Sequence, residues 1–400
     1  MHEAMSPDVP DADHHAPDDP GQRCSPADAA DLAAIGELLR APQQLDGVTR
    51  SLTRPHRRVL VSRDDRAAVQ GVVVVEGTPD VDGLGEIILL AGDGQDRLRA
   101  AAATSVGDMG CSGLRDERGE VVAVPDPGPD LTARFLRAAA IAANSAEVAA
   151  GSAAGHGPTA RKADGSVSAV ADEAADASSA AILGTLGIPM LSEERDDIGL
   201  ADPSAPWLVV DPIDGTGNYL AGLPPWAFAA GLVADGRPLA GYVMDLSSGR
   251  RWWGAVGRGA FRDGRPITPR AGATLIVPTP PAGGSAIVPE GYRRIRITGC
   301  TAVDLCLVAA GSAGAWHDLD REGTHVHDVA ASLGVLAAAG GVALDPEGED
   351  LRLTPDTAGL IRFAAAADRD SAASLVAAFR EPSDRPRPPA GRRVTGRGRG

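Results

Sequence analysis

The pattern of apolar and polar positions predicts two globular units joined by a short linker. Between residues 28 and 124, helical and alternating periods predict six elements, in the order helix, three strands, helix, strand: Asp31–Arg40, Arg58–Ser62, Ala68–Glu76, Gly85–Leu90, Gln95–Val106 and Glu120–Val124. The run PDPGPD at residues 125–130 continues neither kind of element, because proline lacks an N–H and glycine is conformationally free. A second unit starts with a helix at Leu131 and extends to residue 380. The sequence thus predicts a small α+β domain at 28–124 and a larger domain at 131–380.

The two ends of the chain lack an apolar pattern. Residues 1–27 are rich in Asp, Pro and His and are predicted to form a disordered acidic tail, and residues 381–400 a disordered tail of Arg, Pro and Gly. The acidic start has no apolar centre, unlike a secretory signal. The longest apolar stretch, about 330–344, is shorter than the ~18 residues that cross a membrane and contains glycines. We therefore expect a cytoplasmic protein without a membrane partner.

Composition narrows the class of protein. The chain has 400 residues, 44% hydrophobic and 23% charged, which is typical of globular domains. A net charge of −16 argues against a general nucleic-acid or anionic-membrane binder. The four cysteines show neither a CxxC pair nor zinc-site spacing, which favours a reducing compartment. Only one of the 38 basic residues is a lysine, Lys162; a codon bias explains the scarcity but not the position.

The segment WLVVDPIDGTGNY, residues 207–219, carries the most informative chemistry. Its apolar start predicts a buried strand that delivers Asp211 and Asp214 into a turn, with the carbonyl of Ile213 between them. Hard divalent cations prefer such oxygen clusters. The backbone N–H groups of residues 215–217 suit a phosphate. For DxxDG alone an ordinary Asp-Gly turn would be the better interpretation, but the whole run is more specific.

Two further segments carry acids whose interpretation stays open from the residues alone. LSEERDD, residues 191–197, contains the adjacent Glu193 and Glu194, which would otherwise be a solvated acidic loop. Asp328 opens a long apolar helix, where an acid also complements the helix dipole.

In this order the segments resemble the inositol monophosphatase family, within the magnesium-dependent, lithium-sensitive phosphatases. That family has an acidic pair, a DPIDGT loop, and a WD step opening a helix that ends in AGG; here these are SEER, DPIDGTGNY and HVHDVAASLGVLAAAGG. KADGSVSAVAD, at 162–172, is similar to the family's Lys-x-Asp-Gly-Ser segment. The resemblance covers about residues 131–379 and implies an α/β fold, an αβαβα sandwich.

The resemblance also implies a role for each matching residue. The ligands of two to three Mg²⁺ ions would be Glu193, Asp211, Ile213 through its carbonyl, Asp214 and Asp328. The residues that position or activate the attacking water would be Asp172, Thr216 and, through a third, weaker ion, Glu193. The phosphate would be held by the N–H groups of Gly215 and Thr216, and the rest of the substrate would meet Asp318 and Lys162.

The implied function is hydrolysis of a small phosphate monoester by metal-activated water, with inositol monophosphate as the expected substrate. Relatives with the same motifs act on fructose 1,6-bisphosphate, histidinol phosphate or adenosine 3′,5′-bisphosphate, and a non-catalytic regulatory or binding protein could retain the fold. The sequence departs from the family at His327, Ala169 and Gly217, where Trp, Thr, and Thr or Lys are usual. These departures spare the metal ligands and bear on substrate and activity. Monomer and homodimer both stay open.

The amino-terminal unit does not match that family. Its order of elements faintly resembles an N-acetyltransferase, but a clear Arg/Gln-x-x-Gly-x-Gly loop is missing, and residues 90–94 are a poor substitute. We therefore expect a non-catalytic accessory or dimerisation domain.

Overall fold

The computed structural model describes residues 23–39, 41–77, 84–152, 158–161, 167–195, 202, 204–279 and 287–380. Both end segments, 1–22 and 381–400, lie outside these residues, as do Lys162 and the last two residues, 196–197, of the predicted acidic segment that contains Glu193. The chain divides between Pro125 and Asp126 into two compact units, which are described separately.

The first unit is a sheet with helices on both faces. Its helices are α1 (Leu32–Leu38), α2 (Pro42–Ser51) and α3 (Gln95–Asp108). Its strands are β1 (Arg23–Pro26), β2 (Arg57–Arg63), β3 (Val69–Glu76), β4 (Leu84–Gly92), β5 (Gly113–Arg115) and β6 (Val121–Ala123). Neighbours in the sheet follow chain order, and only the β4–β5 pair is parallel.

The alternation of side chains along β3 explains how this unit is covered. Val72 and Val74 pack with α1 and α2, whereas Val73 and Val75 pack with α3 on the other face. All four valines are buried, because successive side chains of a strand point to opposite faces and both faces carry a helix.

The structure corrects the predicted elements of this unit at three places. Arg23–Pro26 is an edge strand and not part of a disordered tail. Helix α2 was not predicted, since among its ten residues PQQLDGVTRS only Leu45 and Val48 are large and apolar. The short strand β5 was also missed, because three residues give no measurable alternation.

The second unit contains the remaining elements. The helices are α4 (Leu131–Ser152), α5 (Val170–Leu183), α6 (Thr216–Ala221), α7 (Thr301–Ala309), α8 (Val326–Ala338) and α9 (Arg369–Arg380). The strands are β7 (Pro158–Arg161), β8 (Val167–Ala169), β9 (Met190–Ser192), β10 (Trp207–Asp214), β11 (Ala227–Ala234), β12 (Arg237–Asp245), β13 (Arg250–Ala255), β14 (Gly259–Arg262), β15 (Arg265–Ile267), β16 (Thr274–Ile276), β17 (Arg294–Arg296), β18 (Ala315–His317), β19 (Thr324–His325), β20 (Val342–Leu344), β21 (Leu360–Ile361) and β22 (Ala364–Ala366).

These elements form five layers, which confirms the predicted αβαβα sandwich. Within the described residues, one sheet has the order β15-β14-β13-β12-β11-β10-β9 and another β17-β16-β18-β22-β20. Helices α4 and α5 cover the outer face of the first sheet, and α9 covers the outer face of the second. Helices α7 and α8 lie between the two sheets in the largest apolar cluster. Both faces of each sheet are therefore buried, as the near-continuous apolar strand β10 requires.

Small residues set the position of α8 on the first sheet. A Cβ at Gly241 of β12 would overlap the carbonyl of Ala331, and one at Gly334 would meet the backbone of Ala240. Helix and sheet backbones therefore approach closely at the middle of α8. Among the described residues, no helix is both long and apolar enough to cross a membrane.

Candidate metal and phosphate site

The two acids of the DPID segment share one site because the strand that carries them is irregular. Both belong to β10, in which Asp211 pairs with Ala229 and Asp214 with Ala227. Three steps along β10 thus oppose two steps along β11, as in a β-bulge. In a regular strand, residues three apart point to opposite faces. The extra residue removes this mismatch and lets both carboxylates face one site.

Helix α8 supplies the third carboxylate. One oxygen atom from each of Asp211, Asp214 and Asp328 lies within 4.8 Å of the others, and these three residues are called the acidic cluster here. Asp328 also serves the helix itself, since its Oδ2 accepts the backbone N–H of His325 at 3.3 Å. The predicted first-turn role and the predicted ligand position therefore coincide in one residue.

Each acid of the cluster is oriented by a backbone donor. The N–H of Ile213 donates to Asp211 Oδ1 at 3.0 Å. The N–H of Ala302, in the first turn of α7, donates to Asp214 Oδ2 at 2.6 Å. The Sγ of Cys300 lies 3.1 Å from the same oxygen, so its thiol also donates there. Sequence reasoning gave Cys300 and Ala302 no role.

Glu193 borders the acidic cluster and lies directly after β9, in the segment 192–195 that begins with the last residue of that strand. The negative charge of its carboxylate contributes to the raised pKa of Asp211, which places Glu193 near that residue. The loop is fixed to α5 by Asp176, which accepts the hydroxyl of Ser192 at 2.6 Å and the Nε of Arg195. This support was not predicted, because nothing in the sequence pairs Asp176 with residues 16 and 19 positions later.

Burial and mutual repulsion make the acidic cluster costly to charge. Burial, followed by the charges of Glu193 and the other two acids, holds the pKa of Asp211 well above its usual range. Burial raises the pKa of Asp214 to about 7, against the hydrogen bonds from α7. Burial also raises the pKa of Asp328 to about 7, against the neighbouring His327. Three carboxyl groups with raised pKa values in one place are a frequent property of functional sites.

This arrangement fits one or more divalent cations. Such ions take carboxylate and carbonyl oxygens at about 2.0–2.6 Å, so oxygens within 4.8 Å of each other can share an ion. A bound cation would also remove the repulsion that raises the pKa values. Oxygen donors, without a cysteine or histidine in the group, favour Mg²⁺ or a similar hard ion over zinc.

The loop after β10 turns sharply into α6. Gly215 has a φ of +87°, in the left-handed region that favours glycine, and α6 begins at Thr216. The hydroxyl of Thr216 donates to the carbonyl of Ile213 at 3.2 Å. Asn218 fastens the turn by donating to the carbonyls of Pro225 and Thr298, both at 2.8 Å.

Asp172 lies in the first turn of α5 and is buried. Its negative charge contributes, after burial, to the raised pKa of Tyr219 on α6, so the two helices bring these side chains near each other. Thr216, its predicted partner, is the first residue of α6, three residues before Tyr219, and the pairing of Asp172 with Thr216 stays a prediction.

Asp318 does not join the acidic cluster. It is fully buried, and its oxygens accept the hydroxyl of Thr324 at 2.7 Å and the N–H of Phe363 at 2.8 Å. A substrate contact needs an accessible oxygen, so this arrangement favours a structural role over the predicted one. Burial raises the pKa of Asp318 to about 6.

The histidines next to Asp328 also pack as part of the fold. The rings of His325 and His327 stack with their centroids 5.0 Å apart, and His327, at the position of the family's Trp, is buried. Its Nε2 lies 3.7 Å from Asp328 Oδ1, so the imidazole borders the acidic cluster.

The layered α/β sandwich brings acids from the end of β10 and the first turn of α8 to one place, an arrangement that fits a divalent cation. The chain belongs to the inositol monophosphatase family, because the model of the "Inositol monophosphatase family" matches residues 132–383.

Individual relatives are consistent with this assignment. The inositol-1-monophosphatase ImpA of Mycolicibacterium smegmatis is 37% identical over 157 residues, 35% of this chain and 56% of that protein. The fructose-1,6-bisphosphatase/inositol-1-monophosphatase of Thermococcus kodakarensis is 29% identical over 179 residues, 42% of this chain and 65% of that protein. The chain thus matches less than two thirds of the length of both relatives. A solved inositol monophosphatase–fructose 1,6-bisphosphatase shares the fold, with a TM-score of 0.53 and 21% identity over 60% of this chain and 97% of the other.

Proposed function

We propose that residues 126–380 hydrolyse a small phosphate monoester with Mg²⁺, and that inositol monophosphate is the preferred substrate. The observation that carries this proposal is the acidic cluster, with three carboxylate oxygens within 4.8 Å and Glu193 beside it. Bound Mg²⁺, in two to three positions, would neutralise the phosphate charge and lower the pKa of the attacking water. Four carboxylates are a sufficient donor set for such ions.

The protein side chains would then divide the remaining work. Glu193 and the acidic cluster would hold the cations, joined by the carbonyl of Ile213. The N–H groups of Gly215 and Thr216 would orient the phosphate at the glycine turn. Asp172 and Thr216 would orient the attacking water and accept its proton, which the burial of Asp172 and its position next to α6 support.

The substrate class follows from the relatives. ImpA of M. smegmatis bears the name of an inositol-1-monophosphatase, and the Thermococcus relative bears both activities in its name. We therefore propose inositol monophosphate as the substrate and fructose 1,6-bisphosphate as the second candidate. A panel of both, with histidinol phosphate and adenosine 3′,5′-bisphosphate as comparators, ranks them by kcat/KM.

Asp211→Asn is the direct test, because asparagine keeps the size of the side chain and removes the charge that would hold a cation. We expect Mg²⁺-dependent phosphate release to fall by at least about a hundredfold, or about 2.7 kcal/mol of transition-state stabilisation. Asp245→Asn is the matched control, since Asp245 is also buried but accepts hydroxyls of Ser247 and Ser248 outside the acidic cluster. If Asp211→Asn keeps more than about a tenth of the turnover, the proposed role of Asp211 as a metal ligand is wrong.

We further propose that the first unit is an accessory domain. Every described residue with a proposed catalytic role lies between Asp172 and Asp328, inside the second unit. The cytoplasmic location stays a prediction, and whether the protein is a monomer or a homodimer stays open.

A further inference from the structure

A cavity of about 400 Å³ lies at the far end of α8 from the acidic cluster. Leu333, Leu336 and Ala337 of α8 contribute one wall, and the first strand residues after the β11–β12 turn contribute another. Leu336 is eight residues after Asp328, or about 12 Å along the helix axis. This cavity, called the α8 pocket here, is therefore separate from the proposed catalytic site.

The interior of the α8 pocket is apolar, and backbone hydrogen bonds connect the loops around it. Leu333 and Leu336 are buried in the core, while Val256 at the rim is 53% exposed. Two backbone hydrogen bonds fix the surrounding loops: Leu353 N–H to Gly236 at 2.9 Å and Leu351 N–H to Ala343 at 3.1 Å. Its volume falls within the roughly 300–1,000 Å³ of small-molecule sites.

The charges at the mouth leave one positive group uncompensated. Arg352 pairs with Asp235 at 3.4 Å, and Asp350 pairs with Arg369. Arg237 is exposed and makes neither an ion pair nor a side-chain hydrogen bond with any residue that the structure describes. An apolar cavity with a single free cation at its mouth complements a molecule with an apolar chain and one negative charge.

We propose that the α8 pocket binds a small organic carboxylate with an apolar chain. The apolar chain of the ligand enters between α8 and the β11–β12 hairpin, and the ligand's carboxylate pairs with Arg237. The apolar contacts supply most of the affinity, and the exposed ion pair adds up to about fivefold, which corresponds to about 1 kcal/mol.

Three probes with one chain length separate the two contributions. Octanoate, 1-octanol and octylammonium are titrated into the full-length chain by calorimetry. We expect octanoate to bind about fivefold more tightly than octanol, and octylammonium to bind most weakly. Equal binding of octanoate and octanol, or no saturable binding of either, overturns the proposal.

Two variants locate the binding. Arg237→Ala should make octanoate and octanol equal, whereas Arg270→Ala, which removes an exposed arginine outside the α8 pocket, should leave the preference intact. Ala337→Phe should fill the cavity and weaken all three probes; if circular dichroism shows that it does not fold, Ala343→Phe takes its place. An octanoate preference that persists in Arg237→Ala places the ligand elsewhere. The competing occupant of this surface would be a second copy of the chain, which sedimentation would detect as a dimer. A wild-type dimer that weakens in Arg237→Ala would mean that a second copy covers this surface and would overturn the proposal.

Discussion

Asp176 offers the sharpest test of how the fold positions a proposed metal ligand. It is buried on α5, one helical turn after Asp172, and accepts hydrogen bonds from Ser192 and Arg195 on either side of Glu193. Asp176→Asn preserves the shape and can retain the bond from Ser192. The new amide group would then face the guanidinium of Arg195, donor against donor. The variant therefore loosens one side of the Glu193 loop without touching the acidic cluster.

The loss in stability can be bounded from the structure. A hydrogen bond to a charged group contributes about 1.5–3 kcal/mol when shielded from water. The Arg195 side chain is 40% exposed, so solvent screens the pair and lowers its contribution towards about 1 kcal/mol. We expect Asp176→Asn to reduce the free energy of unfolding by about 1–2 kcal/mol.

Asp176→Asn should weaken Mg²⁺ binding by more than its modest loss of stability suggests. Residues that orient a metal ligand typically change metal affinity by about 10–100-fold when they are replaced. We expect the Mg²⁺ concentration for half-maximal phosphate release to rise about tenfold, with kcat at saturating Mg²⁺ changed far less. Mg²⁺-induced thermal stabilisation gives the same affinity without relying on activity. Urea unfolding measures the stability term in parallel.

The matched controls separate positioning from general weakening of the fold. Arg195→Ala should shift the Mg²⁺ dependence in the same direction, because it removes the same contact. Asp245→Asn should cost stability and leave the Mg²⁺ dependence unchanged. If Asp176→Asn destabilises the chain while its Mg²⁺ dependence stays within about twofold of the wild type, Asp176 is a structural residue and the reasoning is refuted.

Three further predictions follow from the same contacts. Asp214 and Asp328 have pKa values raised to about 7 in the folded state, so they hold protons more tightly there than in the unfolded state, and without metal their contribution to stability falls as the pH rises from about 4 to about 7. Mg²⁺ needs the ionised carboxylates, so it should raise Tm more at about pH 8 than at about pH 5.5. An equal rise in Tm at both pH values would contradict the acidic cluster as the Mg²⁺ site. A fragment of residues 126–380 should melt cooperatively and release phosphate at a rate within about threefold of the full chain, because the proposed site lies within it; a folded but inactive fragment would show that the first unit completes the site. Asp318→Asn should lose about 1–3 kcal/mol of stability and reduce kcat/KM equally on a polyol phosphate and an aryl phosphate, because its oxygens are bonded inside the fold; a loss on the polyol alone would restore the predicted substrate role.

The sequence was informative where one segment carries both the element and its chemistry. The apolar lead-in of β10 predicts a buried strand, and the acids that follow it in the chain lie at its end. The helix after Asp328 is apolar on nearly every side, and it lies between two sheets. In these cases the periodicity and the site residue are adjacent in sequence, so a local pattern suffices.

Contacts between distant segments were out of reach for the same reason. The donor to Asp214 comes from Ala302, 88 positions along the chain, and only the tertiary fold brings the start of α7 to the end of β10. Asp318 is a case in which the local sequence predicts the wrong environment. An acid in a loop with Gly and His is expected to be exposed, but Thr324 and Phe363 supply two hydrogen-bond donors that allow its burial. Whether an acid is accessible depends on donors that the local sequence does not contain.

The acidic cluster shows why such donors suit the proposed metal site and not only the fold. Asp211 and Asp214 are buried and Asp328 is half-buried, so the three carboxylates repel each other, and without compensation they would take up protons or separate. Backbone N–H groups from Ile213, Ala302 and the residue before α8 each bind one oxygen, which holds the acids in place without neutralising them. A lysine or arginine would stabilise the apo protein better, but it would occupy the position of a cation. Neutral donors instead preserve the negative potential, so the site can stay folded when empty and still attract a divalent ion.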